Sequence, residues 1–234
     1  MTAPRRLPFD CEPLDELLQG GIETGTITQV YGPPAAGKTN LALAATVAAI
    51  ARGERVLYLD TEGISPARLD QFLAGHPQID DPDRAGERLV VRDIHDFDEQ
   101  REAVKDATTL AGDLSLVILD SATGYYRLER DDDVEAGASL RALVRQVTHL
   151  LSVARRHDLA VLITNQVFTD PESDRDRPLG GHSLAHWSGT VLRLDRFRGG
   201  NRRVTLEQHR SLPAGDTAAI RITDRGIEAG PDLV

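Results

Sequence analysis

The 234 residues suffice for one large α/β domain with a substantial core, and no apolar run approaches the twenty residues of a membrane-spanning helix. The start, MTAPRRLPFD, lacks the apolar segment of a secretory signal, so a cytoplasmic protein is expected. Acidic residues outnumber basic ones 37 to 27, for a formal charge of −10, and only Lys38 and Lys105 among the basic residues are lysine.

Residues 1–20 read as a short lead into a single core spanning 1–234. The lone Cys11 within it can form no intramolecular disulfide and lacks companions for a metal cage, which leaves a plain thiol. GTITQVYG, residues 25–32, is β-rich and ends in glycine, and TNLALAATVAAIARG beyond it is a strong helix with Gly53 as its stop. Between them stands Gly32-Pro33-Pro34-Ala35-Ala36-Gly37-Lys38-Thr39, the G-x-x-x-x-G-K-[ST] phosphate loop. A loop joining a strand to a helix N-terminus turns successive backbone N–H groups inward, and the helix dipole adds positive potential where phosphates sit. The prolines shape the entry to the turn, and the small residues let backbone amides approach a triphosphate. Lys38 reaches the β- and γ-phosphates of ATP as a compact charge, Thr39 offers its hydroxyl to Mg²⁺, and Asn40 follows in the same turn. A saline interior, where charge is screened within roughly 3 Å at 1 M salt, favours an acidic, lysine-poor surface. A GC-rich genome also favours arginine over lysine. Against either background, the retention of Lys38 argues that arginine cannot replace it.

RVLYLD, residues 55–60, is a second strand that runs into TEGI and leaves Glu62 just past its end. A carboxylate there can orient or deprotonate a water that attacks a γ-phosphate; it can equally be a first-turn acid of the helix that Ser65 and Pro66 open. EQREAVKDATTLAG has helical spacing suited to covering a sheet. LSLVILDS, residues 114–121, is an apolar run typical of a strand buried on both faces of a largely parallel sheet. It delivers Asp120 at its carboxyl end, where ligands collect, to hold Mg²⁺ through the water shell of the ion. Residues 127–135 then carry five acids against two arginines, which is repulsive toward a nucleic-acid backbone. AGASLRALVRQVTHLLSVARRH is a further helix, to which no chemistry is assigned.

DLAVLITNQ, residues 158–166, is another buried strand and ends in two amides, Asn165 and Gln166. Amides at that edge can report the presence of a γ-phosphate or, without one, satisfy loop backbone. The polar stretch VFTDPESDRDRPLGGHS is long enough, read as a loop, to be functional or mobile. Charge then turns positive, with eight arginines against three acids between Arg175 and Arg210. Arg175 and Arg177 fall in the loop, whereas Arg193, Arg196, Arg198, Arg202 and Arg203 fall on a hairpin around RFRGGNRRV with Gly199 and Gly200 in its turn. They read as phosphate contacts for DNA, or as the outward side of a half-buried hairpin bridged to an acidic surface. DTAAIRITDRGIEAGPDLV closes the chain as a short strand pair and a polar tail.

PLDELLQGGIETGTITQVYGPPAAGKTNLAL, YLDTEGISPARL, LVILDSATGYYR, VLITNQVF and PLGGHSLAHWSGTVLRL together resemble the RecA-type recombinase core in its archaeal and eukaryotic, RadA-like form. The likeness is collinear from Leu7 onward, and in length the chain is similar to the RadB branch of short archaeal RadA paralogues. The resemblance implies an α/β P-loop NTPase core: a largely parallel central sheet flanked by helices, with a C-terminal antiparallel hairpin. It implies that Glu62 is the catalytic glutamate working with Lys38, that Gln166 senses the γ-phosphate, and that Arg68 stacks on adenine, although the stretch carrying Arg68 is one residue shorter than usual. It matches His186 to a histidine that senses the γ-phosphate across a subunit interface.

Departures are equally informative. With thirty-one residues before Gly32, no separate N-terminal DNA-binding domain is expected, RRLPFDCEP contains no docking motif of the kind full recombinases carry, and the acidic 129–135 segment is expected to replace a basic loop. The expectation is therefore an ATP·Mg²⁺-binding, weakly hydrolysing protein that assists a RadA-type recombinase in homologous recombination and DNA repair. It would bind DNA, order the 169–183 loop through Gln166, and self-associate more weakly than a RadA filament. Two alternatives stay open: a nucleotide-dependent module acting on RadA without touching DNA, and a full strand-exchange recombinase.

Overall fold

The computed structural model describes residues 4–126, 136–170 and 175–231. A two-residue ladder of β1 (Arg6–Leu7) and β2 (Ile22–Glu23) brackets α1 (Glu12–Leu17). Strand and helix then alternate through β3 (Ile27–Tyr31), α2 (Lys38–Ala51), β4 (Val56–Asp60), α3 (Pro66–Gly75), the short α4 (Pro82–Gly86), β5 (Leu89–Asp93), α5 (Phe97–Leu110), β6 (Leu116–Asp120), α6 (Ala136–His157) and β7 (Ala160–Asn165). The ribbon of β8 (Val167–Asp170) and β9 (Arg175–Pro178) follows, then α7 (Gly181–Trp187). An antiparallel meander of β10 (Thr190–Arg196), β11 (Asn201–His209), β12 (Thr217–Thr223) and β13 (Gly226–Ala229) ends the described chain.

A helix inserted between two strands returns the chain to the starting edge, so this alternation builds a parallel sheet. The nine strands lie in the order β13-β12-β11-β10-β3-β7-β6-β4-β5, parallel from β10 to β5 and antiparallel from β10 to β13. Every residue of β3, β4, β6 and β7 is buried, which is why these runs lack polar alternation. On one face, α2 packs an alanine-rich surface, buried from Leu41 to Ile50, over Tyr58, Ile118 and Leu162. On the other, α5 and α6 cover Leu57, Leu59, Val117 and Ile163. The expected largely parallel sheet flanked by helices, with antiparallel C-terminal strands, is thus found. Gly53 ends α2 with φ +80°, its N–H bonded to the Ile50 carbonyl at 2.8 Å. Among the described residues no helix is long and apolar enough to cross a membrane.

Register brings the functional tips level. Asp60 lies opposite Asp120, and Tyr31, the last residue before the phosphate loop, lies opposite Asn165. Helices α1, α4 and α7 are additions to the expected elements, and two further features differ from expectation. The stretch after Gln166, expected as a loop, pairs Val167–Asp170 with Arg175–Pro178, and the half-exposed edge strand β5 was not anticipated. Both escape pattern reading because exposed two-stranded ribbons and sheet edges carry charges and prolines that mask their period.

Candidate active site

The phosphate loop is shaped by two left-handed residues, Ala35 at φ +58° and Gly37 at φ +105°. Mixed backbone handedness turns consecutive N–H groups into one concavity, a nest for anions. Holding an alanine in that region costs roughly 1–2 kcal/mol. Glycine is required at both ends of the loop: a Cβ on Gly32 would strike the Leu194 carbonyl of β10, and Gly37 holds φ +105°, with the end of the Ile222 side chain of β12 packed where a Cβ would stand. Lys38 curls over this loop, its Nζ donating to the Gly32 carbonyl at 2.9 Å and the Pro33 carbonyl at 3.1 Å. Burial pulls its pKa down, and the nearby Asp120 and Glu62 carboxylates oppose that fall.

Asp120, 1% exposed, accepts hydrogen bonds from the Thr164 hydroxyl and from the Tyr58 hydroxyl at 2.7 Å, and lines the same cavity as Thr39. Burial pushes its pKa up and Glu62 adds to the rise, while the hydrogen bonds act the other way. Tyr58 is held well above its ordinary range by burial and by Asp120, so it stays a donor. Asp60 fixes the following loop by accepting from the backbone N–H groups of Glu62 at 3.1 Å, Gly63 at 2.9 Å and Ile64 at 2.6 Å. Glu62 therefore precedes α3, which begins at Pro66, and is not an acid of its first turn. Its Oε1 accepts from Ser121 Oγ and from Gln166 Nε2, both at 2.7 Å.

Lys38, Thr39, Asn40, Glu62, Arg68, Asp120 and Gln166 line one cavity of about 620 Å³, together with Pro34, Ala35 and Gly37 of the loop. Gly32, Pro33 and Ala36 shape the loop from behind. Of the two amides ending β7, only Gln166 faces the cavity. Asn165 is buried, accepting from Thr123 Oγ1 at 2.9 Å and donating to the Leu179 carbonyl at 2.8 Å, and so serves loop backbone. Arg68 lies over the Phe72 ring at 4.5 Å, and its guanidinium donates to Asn40 Oδ1 at 2.8 Å and to the Thr223 carbonyl at 2.7 Å. His186 is exposed on α7, edge-on to Trp187, and lines no part of the cavity.

The basic residues separate into distinct environments. Arg196 and Arg198 are exposed, Arg193 is bridged to Asp195 at 3.0 Å, and Arg203 lies over Phe197 at 4.8 Å. Arg177 is exposed on β9, whereas the Arg175 side chain and the acidic segment 129–135 lie outside the described residues. Arg202 departs from the outward placement expected of the hairpin. It is 8% exposed, lines the cavity, and donates from Nε to the Ala36 carbonyl and from Nη1 to the Asn201 carbonyl at 2.8 Å. Burial lowers its pKa, and Arg196 adds to the effect. Strand parity carries the signal for this: Arg202 shares a face with the buried Val204 and Leu206. Ile222, to which the sequence pattern assigns no role, forms the adjoining wall.

This arrangement can bind a polyphosphate, with the nest and Lys38 facing the anion and carboxylates across from it. No group of three His, Cys, Asp or Glu among the described residues could cage a metal. The donors present, the Thr39 hydroxyl and the Asp120 carboxylate, fit Mg²⁺, which takes one or two protein ligands, keeps several waters and draws the rest from phosphates.

Comparison with known proteins agrees with this architecture. The profile of the Rad51 family matches residues 6–230. A relative from Halobacterium salinarum, named DNA repair and recombination protein RadB, is 57% identical over 225 residues, 95% of this chain and 94% of its own. Relatives of the same name from Archaeoglobus fulgidus and Methanococcoides burtonii are 41% identical over 224 residues and 37% identical over 227, covering 95% and 97% of this chain and 97% and 99% of their own. A solved structure described as the RadB recombinase superposes with a TM-score of 0.83 at 37% identity, covering 96% of this chain and 100% of that one.

Proposed function

This chain belongs to the Rad51 family, and from that premise we propose that it acts in the cytoplasm, in homologous recombination and DNA repair, as an ATP-operated accessory to a RadA-type recombinase. The observation that carries the reading is the hydrogen bond from Gln166 to Glu62, which joins a carboxylate at the phosphate end of the cavity to the residue from which β8 departs. Bound MgATP supplies the phosphoanhydride to be cleaved and the charge around which Lys38, Thr39 and Asp120 are disposed. Lys38 exchanges its two carbonyl partners for phosphate oxygens. Glu62 Oε1 takes a proton from the attacking water only after Ser121 and Gln166 have loosened their hold, and hydrolysis is correspondingly slow. Gln166, released from Glu62, turns toward the γ-phosphate. Its backbone carbonyl accepts from Leu179 N at 2.9 Å, so both ends of the β8–β9 ribbon are tied to this one residue and respond together. Arg175 and Arg177 on that ribbon, and Arg196, Arg198 and Arg203 on the hairpin, then meet DNA phosphates, whereas Arg202 supports the loop. Arg68 offers a planar cation to the adenine, and His186 serves a neighbouring subunit.

Hydrogen exchange with a non-hydrolysable ATP analogue at molar KCl tests the coupling. Wild type is expected to gain protection across the described residues 167–170 and 175–178 on binding, and Gln166→Ala is expected to bind the analogue without that gain. Equal protection in the two proteins overturns the relay, and absence of binding by wild type overturns the nucleotide reading itself.

A second reading, a nucleotide-dependent module that docks on RadA without touching DNA, draws on the five acids of 127–135 and the inward turn of Arg202. Binding to RadA that persists with salt, with no affinity for DNA, would establish it. Strand exchange without RadA would instead mark a full recombinase.

A further inference from the structure

We propose that the outer face of α6, with Trp187 beside its C-terminal half, is a binding surface for single-stranded nucleic acid, separate from the β8–β9 ribbon and the β10–β11 hairpin. The surface owes nothing to the nucleotide reading. Residues 136–157 contain four arginines, two histidines and no acid, in a chain with a formal charge of −10. At 100° per residue Arg141, Arg145, Ser152 and Arg156 fall within an arc of about 60°, with Arg155 on its flank. The stripe from Arg141 to Arg156 runs about 22 Å at 1.5 Å per residue. All five side chains are exposed.

Two ordinary explanations fall short. A solvated helix face in an acidic protein is expected to trade ion pairs with its surroundings, as neighbouring α5 does: Arg101 bridges Asp98 at 3.0 Å, Lys105 bridges Glu102 at 2.8 Å, and Asp106 is taken by Arg92 at 2.5 Å. None of the four α6 arginines pairs with a described residue. The helix dipole accounts for Arg155 and Arg156 in the last turn. It offers nothing to Arg141 and Arg145 in the first half.

The occupant follows from what adjoins the stripe. Trp187, 38% exposed, borders a shallow groove shared with Thr148, Ser152, Arg155 and Arg156. An open indole beside guanidinium groups is a stacking platform flanked by phosphate contacts, which suits an unpaired strand whose bases are free. A duplex keeps its bases stacked on one another, and acidic side chains themselves carry no planar ring to stack on the indole.

Trp187 is the only tryptophan, so its fluorescence reads the contact directly. The full chain without nucleotide is titrated with oligo(dT) of about 16 nucleotides across a range of salt. Saturable quenching is expected. The combined Arg141→Ala, Arg145→Ala and Arg156→Ala variant should bind at least roughly ten-fold more weakly, with the slope of log K against log salt reduced by about 2, or 0.7 per lost phosphate contact. Trp187→Ala, followed by anisotropy of labelled oligo(dT), should lose roughly ten-fold. Unchanged thermal melting and ATP-analogue binding in these variants keep the result distinct from misfolding and from failure of the nucleotide reading. The proposal is overturned by any of three outcomes: no quenching, wild-type affinity in the triple variant while Arg196→Ala with Arg198→Ala abolishes binding, or competition by polyglutamate as effective as by oligo(dT) at equal charge.

Discussion

On the parallel side of β3 the residues facing the phosphate loop stand at or just past strand tips: Asp120 on β6, Glu62 beyond β4 and Gln166 beyond β7. On the antiparallel side they come from within strands: the Leu194 carbonyl against Gly32, Arg202 against Ala36, and Ile222 against Gly37. The first set is polar and hydrogen-bonded through its side chains, Glu62 to Ser121 and Gln166, and Asp120 to Tyr58 and Thr164. The second is steric and backbone-directed, and it fixes where the loop runs. One loop is thus lined by hydrogen-bonding side chains on one side and braced from the other, so substitutions on the two sides should fail in different measurements.

The largest effect expected is on turnover. Glu62→Gln should lower hydrolysis by roughly 10²–10⁴-fold while leaving ATP affinity unaltered, since a lost proton acceptor affects the chemical step alone; hydrolysis at the wild-type rate would remove the catalytic role assigned to it. Lys38→Ala should weaken nucleotide binding by roughly 100-fold in calorimetry, in line with losing two charge-assisted contacts. Arg202→Ala belongs to the bracing side and should appear in stability: its loss leaves the Ala36 carbonyl without its donor and destabilises the apo protein by about 1–3 kcal/mol in denaturant unfolding. Lysine should not restore Arg202, because the planar fork that reaches Ala36 and Asn201 together is missing. Arg198→Ala, on the exposed side of the same turn, should fall within about 0.5 kcal/mol of wild type. If Arg198→Ala destabilised more than Arg202→Ala, the distinction between bracing and exposed arginines would be lost.

Legibility from sequence follows the same division. The tips were readable because each apolar run ends abruptly in a chemistry-bearing residue, and α6 was readable to both ends because its period of 3.6 is sustained over 22 residues. The brace was hidden. Arginine at position 202 looks like one more surface charge until strand parity is counted, and Ile222 looks like an ordinary core residue; only the order of strands in the sheet carries both to the loop. Asn165 and Gln166 are indistinguishable as adjacent amides, and the pleat sends one inward and leaves the other at the cavity. Cys11 behaves as its solitude suggested: it is buried, and burial pushes its thiol up to about 11.

The contact of Gly37 with Ile222 also bears on how the protein is made. Chains leave the ribosome N-terminus first, so Lys38 and Thr39 emerge long before Arg202 and Ile222. A nascent chain halted ahead of β11 holds a phosphate loop with nothing behind Ala36 or Gly37. Under the proposed function, ATP would meet a braced loop only once the meander has docked, which would place nucleotide binding late in folding.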